Sequence, residues 1–321
     1  MSSRLAHALS LALACSACTA AEPSPALAPE PQASSPARPS PESSAFQTEF
    51  DAELKASPHS MLTAVSGTYL RPGEGLGLSL APGGEGWLED AEKAPWARFE
   101  ATEDGMLVTI GERPQQRFEA HAILEVHEPE GLEDITPTFS GRWHFELSTQ
   151  GGRWRVLVHD RDAPAHLEFI GIDWYPVDAA YVADARFEPA PSREPQQLQT
   201  SRGEAKTLYT AGTLRFRLPE LTGDEALELV AFGYAPEPPA PGELEPVLIP
   251  FRDGTTGSTS YAAGRYLELE LGAEAHDLRL DFNRATNPLC AYSEHYNCPF
   301  PPKVNKLEVA IPAGAMTPAK H

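Results

Sequence analysis

Stretch after stretch of this chain places an apolar side chain at every second position, and that period constrains the fold more than any other feature. The stretches are Leu76/Leu78/Leu80, Met106/Val108/Ile110, Trp143/Phe145/Leu147, Trp154/Val156/Val158, Leu214/Phe216/Leu218, Leu267/Leu269/Leu271, Leu278/Leu280/Phe282 and Leu307/Val309/Ile311. Side chains of a strand alternate between its two faces, so each stretch reads as a half-buried β-strand. The segments between them are rich in Gly, Pro, Asn and Asp, the residues that turns require. With 24 Gly and 32 Pro among 321 residues, the chain is too full of helix breakers for a bundle. No long amphipathic helices alternate with the strands, which argues against a doubly wound parallel sheet. The expected fold is mainly β, an antiparallel β-sandwich or partly open β-barrel, with one short N-terminal helix around Phe46 to Lys55. No internal repeat is visible, and the proline-rich stretch Ala235–Pro246 reads as a surface loop between two strands of one domain, with an interdomain linker as the alternative.

Charge narrows the partners. Lys and Arg total 25 against 46 Asp and Glu, a formal net charge of −21. Such a field repels phosphate backbones, so nucleic acid is excluded as a main partner.

The N-terminus reads as an address. Arg4 precedes an apolar run, Leu5–Ala14, and small residues follow around Cys15 and Cys18. A run that short falls well below the roughly 20 residues a membrane span needs, so residues 1–17 are expected to be a secretory signal peptide. The segment resembles a bacterial lipoprotein signal, cut before a cysteine that then carries acyl chains. Cys18 is the favoured lipid-bearing residue, because Ser16 and Ala17 precede it, with Cys15 as the alternative. Residues 18–45, dominated by Pro, Ala, Ser and Glu, show no apolar periodicity and are expected to form a disordered tether. At about 3.1 Å per residue, such a stalk could reach on the order of 70 Å. The implied place is the cell envelope, on the periplasmic side of the outer membrane, with plain secretion as the alternative. Residues 46–315 are then one mainly-β domain and 316–321 a frayed tail.

Removing Cys15 and Cys18 from the count leaves Cys290 and Cys298. In an oxidising compartment a disulfide closing that short loop is expected. Two free thiols are an alternative, as is zinc with His295 between them, although no fourth ligand is near. The remaining histidines, His121/His127 and His144/His159/His166 among them, show no metal-ligand spacing and read as scattered surface residues. No metal and no cofactor are expected. The chain has no G-x-S-x-G, no P-loop and no H-E-x-x-H.

The densest pattern lies between Phe251 and Gly314. It runs Phe251, Asp253, Thr255, Gly257, Tyr261, Gly264 and Arg265; then Leu280, Asp281, Phe282, Asn283, Ala285, Asn287, Pro288, Cys290 and Ala291; then Cys298, Pro299, Pro301, Pro302, Asn305, Leu307, Val309, Ile311, Ala313 and Gly314. This resembles the bacterial and archaeal family known as domain of unknown function 1684, with weaker similarity reaching back toward Ser60. Ser260 stands where that family usually has Thr, and Ala315 where it has Glu, so chemistry through a carboxylate at 315 is not available here. The resemblance implies no activity.

The same residues can be read physically. Asp253 shares parity with Val247, Ile249 and Phe251, and Arg265 with Leu267, Leu269 and Leu271. Both charges are therefore expected on the core side, with Arg252, Tyr266, Glu268 and Glu270 pointing away. A buried charge needs a partner, and an Asp253–Arg265 pair is economical. A simple hairpin centred near Gly257 would hold the two about 17 Å apart, so the pair closes only if residues 254–264 form a wide loop; otherwise Arg265 needs Asp281 or a carbonyl. Asp281 and Asn283 are expected to hold a turn. In a sharper reading, Asp253, Tyr261, Arg265, Asp281 and Asn283 line a polar site in the mouth of the barrel, with Tyr261 as hydrogen-bond donor or general acid.

Three functions remain open on this reading. The first is a lipid-anchored module that binds a small ligand or envelope component. The second is an envelope hydrolase using the Asp/Tyr/Arg cluster, and the third is a structural or assembly role.

Overall fold

The computed structural model describes residues 38–80, 87–89, 95–119, 121–126, 141–203 and 205–319, which belong to one compact unit, Ala37–His321. The expected signal peptide, Cys15 and Cys18, and the tether up to residue 37 lie outside the described residues, as does His127. Among the described residues no helix is long and apolar enough to cross a membrane.

Helix α1 (Pro41–Ala56) begins at Pro41 rather than near Phe46, so residues 41–45 belong to the folded body and not to a tether. Proline at the first helical position has no N–H to leave unpaired and a φ already suited to the helix. Ser43 is fully buried and its Oγ donates to Asp281 Oδ2 at 2.6 Å. Phe46, Phe50 and Leu54, spaced by four, share one helical face. Trp174 packs edge-on against the first two at 6.4 and 5.9 Å.

The strands form antiparallel sheets, as the alternation predicts. In the first half these are β1 (Ala64–Leu70), β2 (Gly75–Leu80), β3 (Trp87–Glu89), β4 (Ala97–Thr102), β5 (Gly105–Ile110), β6 (Gln116–Phe118), β7 (Ala122–Val126), β8 (Trp143–Gln150) and β9 (Arg153–Asp160). They make a sheet in the order β1-β9-β8-β7 and another in the order β3-β2-β4-β5-β6. Phe99, Met106, Leu124, Trp143, Phe145 and Val156 share one core between the two sheets, so this half is a β-sandwich.

The second half contains β10 (Val182–Pro189), β11 (Pro195–Leu198), β12 (Lys206–Phe216), β13 (Leu227–Gly233), β14 (Glu245–Phe251), β15 (Arg265–Leu271) and β16 (His276–Asp281). Their order is β15-β14-β13-β12-β10-β16, with β11 on the first part of β12. The result is a half-barrel. One face packs Phe187, Leu214, Leu229, Ile249, Phe251 and Leu280 against Phe282, Leu307 and Ile311.

A third core explains where parity misleads. Leu54, Leu157, Phe232, Leu248, Tyr266 and Tyr296 pack together, on the faces of β9 and β14 that alternation assigns to solvent. Val247 through Phe251 are all buried, and Tyr266 is 7% exposed rather than pointing away into water. Helix α1 and the loops around Met61 and Tyr296 provide the cover.

Leu307–Ile311 is not a strand. It runs alongside the 252–254 backbone, with Leu307 N donating to Arg252 O and Gly254 N donating to Val309 O, both at 2.8 Å. The expected frayed tail is also held in part: Met316 N donates to Asp173 O at 2.7 Å and Thr317 N to Thr259 O at 3.1 Å.

Candidate functional site

The residues singled out from sequence divide into three separate environments. The first is a sealed brace. Phe251 pairs with Arg265 across β14 and β15, so residues 252–264 form the wide loop that an Asp253–Arg265 contact requires. Arg265 Nη2 lies 3.3 Å from Asp253 Oδ2, with both side chains wholly inaccessible. Hydroxyls of Thr255 and Thr256 donate to Asp253 Oδ1 at 2.9 and 3.0 Å, and the Ile311 amide donates to Oδ2 at 2.7 Å. Arg265 also donates to the carbonyl oxygens of Ile311, at 2.9 Å, and of Ala313. Its guanidinium lies over the Phe251 ring at 5.3 Å. Burial pushes the Arg265 pKa down while Asp253 opposes that shift. The brace pins the 307–313 segment, which lacks a strand ladder of its own, and its two charged side chains are closed to solvent.

The second environment is an anchor for α1. Asp281 accepts from Ser43 Oγ at 2.6 Å and from the Asn283 amide and Nδ2 at 2.9 Å each. Asn283 is fully buried; it donates to Asp178 O and accepts from Asp178 N, both at 3.0 Å. Asp281 therefore holds a turn and a helix, apart from the partners of Arg265.

Tyr261 belongs to the third. Its Oη lies 3.5 Å from Cys290 O, and burial, then the neighbouring Cys290 and Cys298, hold its pKa above the ordinary tyrosine value. Cys290 and Cys298 are adjacent, with both thiols free, and the Cys290 amide donates to Cys298 Sγ at 3.2 Å.

Between these elements lies a cleft of about 990 Å³ that sequence reasoning missed. One wall comes from the sandwich. Arg155 on β9 donates to Glu146 Oε1 at 2.5 Å and to Ser148 Oγ at 2.9 Å, and it lies over the Tyr296 ring at 5.6 Å. The opposite wall comes from the half-barrel. Lys206 places its Nζ over the Tyr234 ring at 5.4 Å and has no ion-pair partner among the described residues. Burial lowers the Lys206 pKa and raises that of Glu268, against which the charge of Lys206 acts. Tyr234 is pushed up to about 12 by burial and by Glu268. Cys298 and Leu54 of α1 complete the lining.

The histidines also depart from expectation. His144 and His159 are fully buried and His166 is 9% exposed, so they are not surface residues. On β8 and β9 the core positions Trp143, Phe145 and Val158 leave His144 and His159 on the opposite face, which α1 and its following turn cover. His59 Nε2 sits 3.1 Å from His144 Nδ1, His159 Nδ1 lies 2.9 Å from Thr63 Oγ1, and His159 Nε2 lies 3.4 Å from Glu146 Oε2. His166 bridges Arg161 O and Lys55 O at 2.7 and 2.9 Å. No group of three His, Cys, Asp or Glu among the described residues could hold a metal ion.

Fold and site together define a mainly antiparallel β protein with a cleft between a sandwich and a half-barrel. Residues 167–316 match the family described as "Protein of unknown function (DUF1684)", and the chain belongs to that family. The match begins at residue 167 rather than near Ser60, so it takes in the half-barrel, the brace and both thiols, while the sandwich and α1 lie outside it. The chain is also similar to an uncharacterized protein of Haloarcula marismortui whose solution structure was determined by NMR. The two are 34% identical over 49% of this chain and 82% of that chain, with a TM-score of 0.39. A comparison with curated proteins finds no match.

Proposed function

We propose that this chain is a lipid-anchored cell-envelope protein that binds a small ligand in the cleft between sandwich and half-barrel. The observation that carries the reading is the cleft itself: about 990 Å³, at the upper end of the range of small-molecule sites. Its aromatic walls are set with Lys206 and Glu268, whose charged forms burial disfavours. Such groups gain by pairing with polar groups of a ligand, because water reaches them poorly. The hydrolase alternative relied on Asp253, Tyr261 and Arg265, with Asp281 as a further candidate; Asp253 and Arg265 are buried in their own ion pair, which favours the binding reading over it. The N-terminal signal and Cys18 support the lipid anchor and the periplasmic side of the outer membrane.

The test is a thermal-shift screen of the full chain against fractionated small molecules from a cell-envelope extract. A fraction that raises the melting temperature of the wild type, and does so no longer for Lys206→Ala and Glu268→Ala, supports the cleft. No shift with any fraction, or an undiminished shift in both variants, overturns it. For the anchor, mass spectrometry of envelope-purified protein should find acyl chains on Cys18, and an unmodified N-terminal peptide refutes them.

A further inference from the structure

Cys290 and Cys298 differ in a way that two ends of a purely structural bridge need not. Cys290 is partly exposed, whereas Cys298 is buried at 6% accessibility. Tyr261 Oη reaches the Cys290 carbonyl at 3.5 Å. Ser201 Oγ accepts from the Cys298 amide at 3.1 Å, so hydroxyl groups flank the pair on both sides.

The loop between the two cysteines does not depend on a bridge. Ser293 Oγ donates to Ala64 O at 3.3 Å, and Ser201 Oγ donates to Tyr296 O at 3.2 Å. The Arg202 amide donates to Asn297 Oδ1 at 3.1 Å, and Gln150 Nε2 to Asn297 O at 3.2 Å. These bonds tie the loop to the sandwich and to the residues before β12 while both thiols are free. A bridge across so short a loop also restricts the unfolded chain less than a bridge across a long one. The fold can therefore carry either oxidation state.

We infer that Cys290 and Cys298 form a thiol–disulfide exchange centre whose co-reactant is a low-molecular-weight disulfide. Cys290, as thiolate, attacks one sulfur of that disulfide; the S–S bond breaks and the first small thiolate leaves and takes up a proton. Cys298 then loses its proton and attacks Cys290 in the mixed disulfide. That forms the Cys290–Cys298 bond and releases the second small thiolate, which is protonated in turn. Two protein thiols and one small disulfide become one protein disulfide and two small thiols. The hydrogen bond from Cys298, with help from Ser201 and Tyr261, outweighs burial and lowers the Cys290 pKa, while the Cys290 hydrogen bond and burial raise that of Cys298. The partly exposed Cys290 is placed to meet an incoming disulfide, and the buried Cys298 beside it to resolve the product. Cys298 also lines the cleft, so its oxidation state is felt at the binding wall, although the exchange does not depend on any ligand binding there.

The experiment uses the full chain, reduced and then exposed to oxidised glutathione, with peptide mass spectrometry to separate this pair from Cys15 and Cys18. The pair should close into a disulfide and reopen with dithiothreitol under native conditions, while the far-UV circular dichroism stays unchanged. In brief iodoacetamide pulses on the reduced wild type, Cys290 should be alkylated faster than Cys298, on the order of tenfold. Cys298→Ser should accumulate a glutathione adduct on Cys290. A bond that resists dithiothreitol until the protein unfolds, thiols that never close, or faster labelling of Cys298 would each overturn the assignment. The alkylation order is read on wild type, so it stands even if the serine variant fails to fold.

Discussion

Arg265 and Asp253 meet at 3.3 Å with neither side chain exposed to water, and through them the loop 252–264 and the segment 307–313 become one structure. Asp253 takes the Ile311 amide and Arg265 the Ile311 and Ala313 carbonyls. The pair thus substitutes for the ladder bonds that an irregular segment lacks.

Asp253→Asn leaves a buried guanidinium without its counter-charge and is expected to cost about 3–5 kcal/mol in urea unfolding. Arg265→Met should cost a comparable amount, since it also frees two buried carbonyls. The double variant should lose clearly less than the sum of the two. Strict additivity would mean that the two charges do not act as a pair.

How much of this was legible in the sequence depends on which physical rule each residue obeys. The strand alternation located β2, β5, β8, β9, most of β15 and β16 and only the end of β12, and parity put Asp253 and Arg265 on the same buried side. It failed where a second layer covers the outer face: Tyr266, His144 and His159 occupy positions that a single-core sheet would leave wet. Leu307–Ile311 keeps the alternation of a strand, but side chains and loop backbone satisfy its amides, which no periodicity reveals. The cleft depends on contacts remote in sequence. Only the Arg155–Glu146 contact had a local signal, because a hairpin turning at Gly151–Gly152 sets Arg155 opposite Ser148 and diagonal to Glu146. Lys206 and Glu268 lie on strands that are not neighbours, and nothing in their own segments distinguishes them from solvated charges.

Glu146 and Glu268, which line the cleft, should mark opposite sides of the ordinary Glu value of 4.5. Burial by itself would raise the Glu146 pKa, but the His159 imidazole 3.4 Å away and the charges of Arg155 and His121 leave it lowered. Below 4.5 the unfolded chain binds this proton first, so the stability Glu146 contributes is complete above 4.5 and is lost as pH falls through its folded value. Glu268 is raised by burial; the folded state holds its proton longer, so its contribution declines as pH rises from 4.5 through its folded value. Urea unfolding between about pH 3 and 7 tests both. Relative to wild type, Glu146→Gln should flatten the acid limb, and Glu268→Gln should remove a decline on the other side. Parallel curves for wild type and either variant would contradict the corresponding assignment.

Gly264 and Gly257 sit in the same loop at similar backbone angles, φ +99° and +81°, yet alanine should affect them very differently. A Cβ at 264 would stand 2.6 Å from the Phe251 carbonyl oxygen and 2.6 Å from Pro301 Cγ, whereas one at 257 meets nothing within 4 Å. Gly257→Ala therefore carries only the backbone penalty of an L-residue at positive φ, about 1–2 kcal/mol. Gly264→Ala adds a clash with a carbonyl of β14 that is fixed by the Phe251–Arg265 pairing, and should cost about 3 kcal/mol or more. Relief of that clash must move Arg265 away from Asp253, so Asp253→Asn should cost less in the Gly264→Ala background than alone. If both glycine variants melt alike, or if Asp253→Asn costs the same in either background, the register of β14 and β15 does not set the brace.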